Sequence, residues 1–150
     1  MLVAHEVRRR GTLVAAAYEA RKRARAPYSG HPVGAALLCG GGVVVLGCNV
    51  ESKAYPTTMC AERVAIYSAI AQGYGAFEAL AVVTTDGAAP CGACRQVLVE
   101  CGPDMTVLVA GGQGSGGEIL QFALRELIPH AFETFVDNIA PEAGDQGETS

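Results

Sequence analysis

The stretch TMCAERVAI, residues 58–66, joins a cysteine, a carboxylate and an arginine to the beginning of an apolar run. The apolar residues that follow predict a buried helix over residues 59–72. Side chains such as those of Glu62 and Arg63 are rarely buried unless they are paired. We therefore interpret the start of this helix as a functional site, with Cys60, Glu62 and Arg63 as its first candidates.

A second cysteine group, PCGACR at residues 90–95, also lies where a predicted loop becomes a helix. A helix N-terminus carries partial positive charge and free N–H groups, which lower the pKa of a thiol and stabilise its thiolate. Cys91 and Cys94 are three residues apart, so they share one face of the helix and can bind one ion. With Cys60 they supply three thiolates and one open position, the ligand set of a catalytic zinc site.

Two other interpretations of the cysteines stay open. Buried cysteines can be small packing residues, and a Cys-x-x-C pair can be a redox site. The CAE sequence at residues 60–62 and Pro90 beside the Cys-x-x-C pair favour the zinc site. Cys39, Cys48 and Cys101 lie within apolar runs, and we predict that they pack in the core.

The composition favours one globular domain. The chain has 150 residues, of which 50% are hydrophobic, and its net charge of −4 argues against a general nucleic-acid-binding protein, which needs a basic face. The basic cluster at residues 21–25 is predicted to be a solvated helix C-terminus. We expect no membrane span and a cytoplasmic location, because charges precede any apolar run and no run approaches ~20 residues.

The periodicity predicts a three-layer α/β sandwich with a mixed sheet, since strands alternate with helices after an early hairpin. The run at residues 111–117 lacks the ending of a phosphate-binding loop, so we predict a surface loop there. Residues 1–133 form the predicted catalytic domain, and the acidic residues 134–150 a disordered tail. The predicted helices span residues 7–23, 59–72, 91–101 and 120–128, and the predicted strands span residues 33–39, 43–48, 80–85 and 105–110.

Four motifs in this order resemble the cytidine deaminase family, specifically its small, homotetrameric, zinc-dependent members. They are PYSGHPVGAAL at residues 27–37, GCNVESKAYPTTMCAER at 47–63, PCGACRQVLVE at 90–100 and ELIPHAF at 126–132. The resemblance implies an α/β/α sandwich around a five-stranded mixed sheet, although the periodicity indicates only four strands. It also implies one Zn²⁺ per chain, a homotetramer, and hydrolytic deamination of a cytosine nucleoside.

The resemblance also assigns roles to individual residues. Glu62 carries protons between water, the ring N3 of the substrate and the departing ammonia. The i,i+2 spacing from Cys60 does not by itself aim Glu62 at the metal, because such residues do not share a helical face. The remaining assignments are Cys60, Cys91 and Cys94 as zinc ligands, Asn49 and Glu51 at the ribose hydroxyls, and Tyr55 and Phe132 around the substrate, partly across a subunit boundary.

The charge of a three-thiolate zinc site gives a separate physical reason for Arg63 and Arg95 to lie beside the cysteines. Three thiolates on Zn²⁺ leave a net charge of −1, which weakens the metal as a Lewis acid. Arg63 lies three residues after Cys60 and can donate a hydrogen bond to its sulfur, which withdraws charge. The same logic makes Arg95 a second candidate for charge compensation, while a surface ion pair is the alternative for Arg63.

Some positions depart from the family pattern. His31 replaces a phenylalanine that packs against the base, and Lys53 replaces a small residue near the 5′ end of the sugar; Ser52 and Cys101 also differ from the residues that the family usually has. These departures leave the zinc chemistry intact and leave the substrate open. It is cytidine and deoxycytidine, or a modified cytosine nucleoside such as a blasticidin S-like antibiotic or an anionic analogue. A non-catalytic zinc or redox protein is the third possibility.

Overall fold

The structure, a computed structural model, describes residues 2–112 and 117–132. The prediction of a disordered tail at residues 134–150 therefore lies outside the described residues, as does the end of the predicted domain at residue 133. In chain order the elements are α1 (Leu2–Arg21), β1 (Gly34–Leu38), β2 (Val44–Cys48), α2 (Ala61–Ala71), β3 (Ala79–Thr84), α3 (Gly92–Cys101), β4 (Thr106–Gly111), β5 (Ile119–Ala123) and α4 (Leu124–Leu127). None of the helices in this part of the chain is long and apolar enough to cross a membrane.

The five strands form one mixed sheet in the order β2-β1-β3-β4-β5. Strands β3 and β4 are parallel, and the other three neighbouring pairs are antiparallel. The predicted hairpin is confirmed, because β1 and β2 pair across the glycine turn Gly40–Gly42. The fifth strand that the family resemblance implied is also present.

Helices cover both faces of the sheet, as a three-layer sandwich requires. Alternate strand residues point to opposite faces, so Leu37 and Val82 pack beneath α2 and α3, whereas Ala36 and Val83 pack against α1. Both sets are buried. The alternation separates the core into two apolar layers, one on each side of the sheet.

The predicted helix over residues 120–128 is wrong in its first half. Residues 119–123 form β5, and only Leu124–Leu127 are helical. Strand β5 pairs antiparallel with β4, from Thr106 with Ala123 to Ala110 with Ile119. This pairing satisfies the backbone groups along the edge of β4, an interaction that local periodicity does not encode.

Two glycines let the helices lie close to the sheet. A Cβ added at Gly47 in β2 would lie 2.2 Å from the carbonyl oxygen of Ala61, and one added at Gly34 in β1 would lie 2.0 Å from that of Ala17. Contacts of this length exclude any side chain. Gly47 therefore sets the distance between β2 and the first turn of α2, which follows Cys60.

Arg21 is more than a solvated residue at the end of α1. Its guanidinium donates hydrogen bonds to the carbonyl oxygens of Pro32 (2.9 Å) and Gly112 (3.1 Å) and to the hydroxyl of Thr85 (2.6 Å). It thus ties the end of α1 to the loop before β1 and to the ends of β3 and β4. The sequence pattern showed the charge at this position and not these contacts.

Candidate active site

Two helix N-termini meet at the centre of the site. Cys60 is the N-cap of α2 and Cys91 is the N-cap of α3, and both have extended backbone angles, with ψ values of 152° and 165°. Cys94 lies one turn into α3 and is fully buried. The positive ends of both helices therefore face the three thiols, as the sequence predicted.

The three sulfur atoms are spaced as metal ligands. The Sγ atoms of Cys60 and Cys91 are 3.9 Å apart, those of Cys91 and Cys94 are 3.5 Å apart, and all three lie within 4.8 Å of one another. Sulfurs that share one tetrahedral zinc at ~2.3 Å are separated by about 3.8 Å. The chemistry and spacing of this donor set therefore fit one Zn²⁺ ion.

Arg63 acts directly on one of these sulfurs. One guanidinium nitrogen donates a hydrogen bond of 3.3 Å to the Sγ of Cys60. The hydrogen bond with Cys94, with a smaller contribution from Arg63, lowers the pKa of Cys60 to about 5, although burial acts in the opposite direction. The hydrogen bond with Cys60 and burial raise the pKa of Cys94. The thiolate is therefore favoured at Cys60 even before the charge of a metal acts.

Glu62 is buried beside the cysteines. Its side chain is only 5% exposed, and it interacts with the thiol of Cys94. Burial, followed by the negative charge of Cys60, raises the pKa of Glu62 to about 7. The packing of α2 thus turns this carboxyl group toward the metal site, which the i,i+2 spacing alone did not predict.

The contacts of Arg95 differ from the predicted hydrogen bond to a cysteine sulfur. Its guanidinium donates to the carbonyl oxygens of Pro90 (2.6 Å) and Leu127 (2.8 Å), both of them backbone groups. These bonds hold the loop that precedes Cys91 against the end of α4. In the structure Arg95 supports the position of Cys91 instead of donating to a sulfur.

Asn49 and Glu51 follow β2, and Val50 between them pairs with Met59, the residue before Cys60. Asn49 is buried, and its side-chain amide accepts from the N–H of Val33 (2.8 Å) and donates to the carbonyl of His31 (2.9 Å). Glu51 accepts hydrogen bonds from Ser29, which lower the pKa of its carboxyl group. Glu51 is therefore ionised at neutral pH and can only accept hydrogen bonds from a ligand.

The other predicted substrate residues border the same region. His31 is half-buried. The hydrogen bonds from Ser29 lower the pKa of Glu51 most, and the charge of His31 lowers it by a smaller amount. Tyr55 is 71% exposed, and its ring lies 6.0 Å from that of Tyr28 at an interplanar angle of 73°. The side chain of Lys53 is exposed.

Phe132 lies at the end of the described chain. Phe132 is 61% exposed. Its backbone N–H donates to Oε1 of Gln96 in α3 (3.1 Å), and its carbonyl oxygen accepts from Nε2 of the same side chain (2.8 Å). The backbone of Phe132 is therefore held in place, while the side chain stays largely exposed.

Residues 8–110 match the family model of the cytidine and deoxycytidylate deaminase zinc-binding region. The chain belongs to the cytidine deaminase family. The match covers all three cysteines and Glu62, and the cysteine geometry fits the one Zn²⁺ per chain that such a region binds.

Relatives and solved structures agree with this membership. A cytidine deaminase of Sporosarcina psychrophila is 46% identical over 123 residues, which are 80% of this chain and 88% of that protein. The crystal structure of cytidine deaminase from Burkholderia pseudomallei superposes with a TM-score of 0.76 at 46% identity, over 81% of this chain and 97% of that one. A blasticidin-S deaminase of Bacillus cereus is more distant, at 29% identity over 66% of this chain and 75% of that protein.

Sequence reasoning missed several residues that shape this deaminase site. Ser29 binds Glu51, Gln96 holds Phe132, and Gly47 allows α2 to approach the sheet. Ser29 and Gln96 lie within two of the motifs that resemble the family, which was the available signal. Their roles depend on partners 22 and 36 residues away, which no local pattern identifies.

Proposed function

We propose that this protein catalyses the hydrolytic deamination of cytidine and deoxycytidine to uridine and deoxyuridine, with release of ammonia. The observation that carries the proposal is the burial of Glu62 against three cysteine thiols that fit one zinc ion. A redox or purely structural role for the cysteines leaves a buried carboxyl group at this point unexplained. We also propose a part in pyrimidine salvage, as the family resemblance implies, and the cytoplasmic location that the sequence pattern predicted.

The chain's own residues supply the proton chemistry. Zinc, when bound by Cys60, Cys91 and Cys94, acts as a Lewis acid that makes water acidic enough to react at neutral pH. Glu62 takes the proton of the attacking water and delivers it to N3 of the pyrimidine as the new C–O bond forms at C4. Glu62 then takes the proton of the new C4 hydroxyl and passes it to the exocyclic nitrogen, so the C4–N bond breaks, the C4 carbonyl forms and ammonia leaves.

Arg63 tunes the charge of the site. Its hydrogen bond to Cys60 withdraws electron density from a ligand of a centre whose three thiolates outweigh the charge of Zn²⁺. The positive ends of α2 and α3 act in the same direction. The proposed role of Arg95 is indirect, because it holds the loop before Cys91.

Asn49 and Glu51 form the proposed sugar-binding pair, with His31 beside the base. The buried amide of Asn49 offers hydrogen-bonding groups, and the ionised carboxylate of Glu51 accepts from hydroxyl groups. Tyr55 and Phe132 complete the proposed pocket. Their exposure of 71% and 61% in a single chain supports contact with neighbouring subunits, and we propose a homotetramer.

The test is ammonia release by purified protein across a panel of nucleosides. Cytidine, deoxycytidine, blasticidin S and cytidine 5′-monophosphate are compared at matched concentrations, with adenosine as the negative control. The proposal expects the highest kcat/KM for cytidine or deoxycytidine. A higher value for blasticidin S or for the phosphate would assign the site to that substrate, and no turnover of any cytosine compound would refute the deaminase.

A further inference from the structure

The carboxylate of Glu51 is enclosed by two consecutive residues. One oxygen, Oε1, accepts the backbone N–H groups of Tyr28 (2.9 Å) and Ser29 (3.0 Å), and Oε2 accepts the hydroxyl of Ser29 (2.5 Å). A carboxylate offers about four lone-pair directions, two on each oxygen. Oε1 is therefore saturated by these contacts, and Oε2 keeps one free direction.

The orientation of the Ser29 hydroxyl is itself determined. A serine hydroxyl has a single hydrogen, and here it is donated to Glu51. The oxygen accepts the backbone N–H of His31 at 3.0 Å. The turn that places both contacts passes through Gly30 at φ 65°, a conformation that favours glycine. The serine thus connects Glu51 with the segment that bears His31.

The backbone of Glu51 is held independently of Ser29. Its N–H donates to the carbonyl of Arg25 at 2.8 Å, and the preceding Val50 pairs with Met59. With the backbone fixed, the direction of the carboxylate depends on its side-chain torsions. The hydroxyl of Ser29 donates to Oε2 and so restrains these torsions.

We propose that Ser29 is a positioning residue that directs the free lone pair of Glu51 Oε2 toward a sugar hydroxyl of the substrate. The inference rests on the proposed function, in which Glu51 and Asn49 bind the sugar. An ionised carboxylate can only accept, so the ligand group at this point must be a donor, as a hydroxyl is. Ser29 does not touch the base or the metal in this arrangement and acts through Glu51.

Steady-state kinetics with two substrates test the proposal. Ser29→Ala should raise KM for cytidine about tenfold and leave kcat within about twofold, since a ground-state contact that persists in the transition state is weakened. With 2′,3′-dideoxycytidine, which lacks both sugar hydroxyls, the variant and the wild type should have the same KM. Ser29→Thr, which keeps the hydroxyl, should restore the KM for cytidine.

The controls separate positioning from loop support. Ser52→Ala removes a nearby loop hydroxyl that accepts from the N–H of Ala54, and it should change neither KM. In a Glu51→Gln background, Ser29→Ala should add no further increase. If Ser29→Ala fails to fold, as judged by circular dichroism, Ser29→Cys, a weaker donor of similar shape, carries the same comparison.

Two results would overturn the inference. They are an equal rise of KM with both substrates, and an unchanged KM for cytidine, whether or not kcat falls. Each of these leaves the deaminase activity of the wild type standing. If the wild type does not turn over cytidine at all, the proposed function fails instead, and the inference fails with it.

Discussion

Val50 and Met59 exchange two backbone hydrogen bonds of 3.0 Å, and Met59 is the residue immediately before Cys60. On its other side the same segment is bound to Arg25. The residues on either side of Val50, Asn49 and Glu51, are therefore tied by backbone to the N-terminus of α2. The proposed sugar contacts and the metal site are therefore linked directly through backbone hydrogen bonds.

Metal analysis of the purified protein should find about one zinc per chain. The double variant Cys91→Ser, Cys94→Ser should lose this zinc, because one thiolate remains of the three whose spacing fits the ion. Cys101→Ala, which changes a cysteine that packs against the core, should keep it. Full zinc occupancy in the double variant would refute the assignment of the ligands.

Glu62→Gln should keep the fold and the zinc and lose nearly all turnover. The amide preserves the shape of the side chain and removes its ability to carry a proton, a contribution worth on the order of 100- to 10,000-fold in rate. Ammonia release measures the loss, and Glu100→Gln on the exposed side of α3 is the matched control. A near-normal rate in Glu62→Gln would exclude this residue as the proton carrier.

Gly47→Ala should destabilise the protein and disturb the metal site together. The new methyl group would lie 2.2 Å from the carbonyl of Ala61 and 2.6 Å from the backbone nitrogen of Ala65, so α2 must move. Overpacking of this kind costs about 1–3 kcal/mol in the free energy of unfolding. Denaturant titration and zinc content measure the two effects.

Gly11→Ala is the control for that experiment. A Cβ at Gly11 meets nothing within 4 Å, and the position lies inside α1. Removing a helix-interior glycine should raise the free energy of unfolding by about 0.5–1 kcal/mol. A Gly47→Ala variant as stable as the wild type would show that the close approach of α2 does not constrain this position.

The stability difference between the wild type and Glu51→Gln should depend on pH. The hydroxyl and the N–H of Ser29 hold the pKa of Glu51 below its ordinary value of 4.5, so the folded state binds this proton less readily than the unfolded state does. The stabilisation of the folded state by the ionised carboxylate of Glu51 is present above pH 4.5 and is lost as the pH falls through the pKa of Glu51 in the folded state. Urea titrations of both proteins from pH 7 to pH 3 should show the difference shrinking at the acid end, and a difference that grows there would contradict the sign.

Light scattering should give about four times the chain mass of 15.4 kDa. If Phe132 completes a neighbour's pocket, Phe132→Ala should lower turnover, and co-expression with Glu62→Gln should restore part of it. In a mixed oligomer, a subunit with Glu62 intact can receive Phe132 from a neighbour that carries Glu62→Gln. A monomer of full activity, or no recovery in mixed oligomers, would refute the shared site.

The chemistry of this protein could be predicted from its sequence because it is concentrated in short motifs. The CAE sequence and the PCGAC sequence place the cysteines at helix N-termini through local backbone preferences, and the glycine hairpin and the period of the helices are local as well. The structure confirms these elements with ends that differ by at most two residues, except the start of α1, which lies five residues earlier than predicted. The family motifs carried the rest of the assignments, including the fifth strand.

What only the tertiary structure decided depends on partners that are distant in the chain. Residues 119–123 have apolar positions that also suit a helix, and they form a strand because the edge of β4 offers unpaired backbone groups. Arg95 reaches two carbonyl groups instead of a sulfur, and Ser29 reaches Glu51, because loops from different strands meet at this end of the sheet. The packing of α2 places Glu62 beside the thiols, and burial raises the pKa of its carboxyl group. Desolvation depends on every segment that excludes water from a side chain, and not on the residues beside it in sequence.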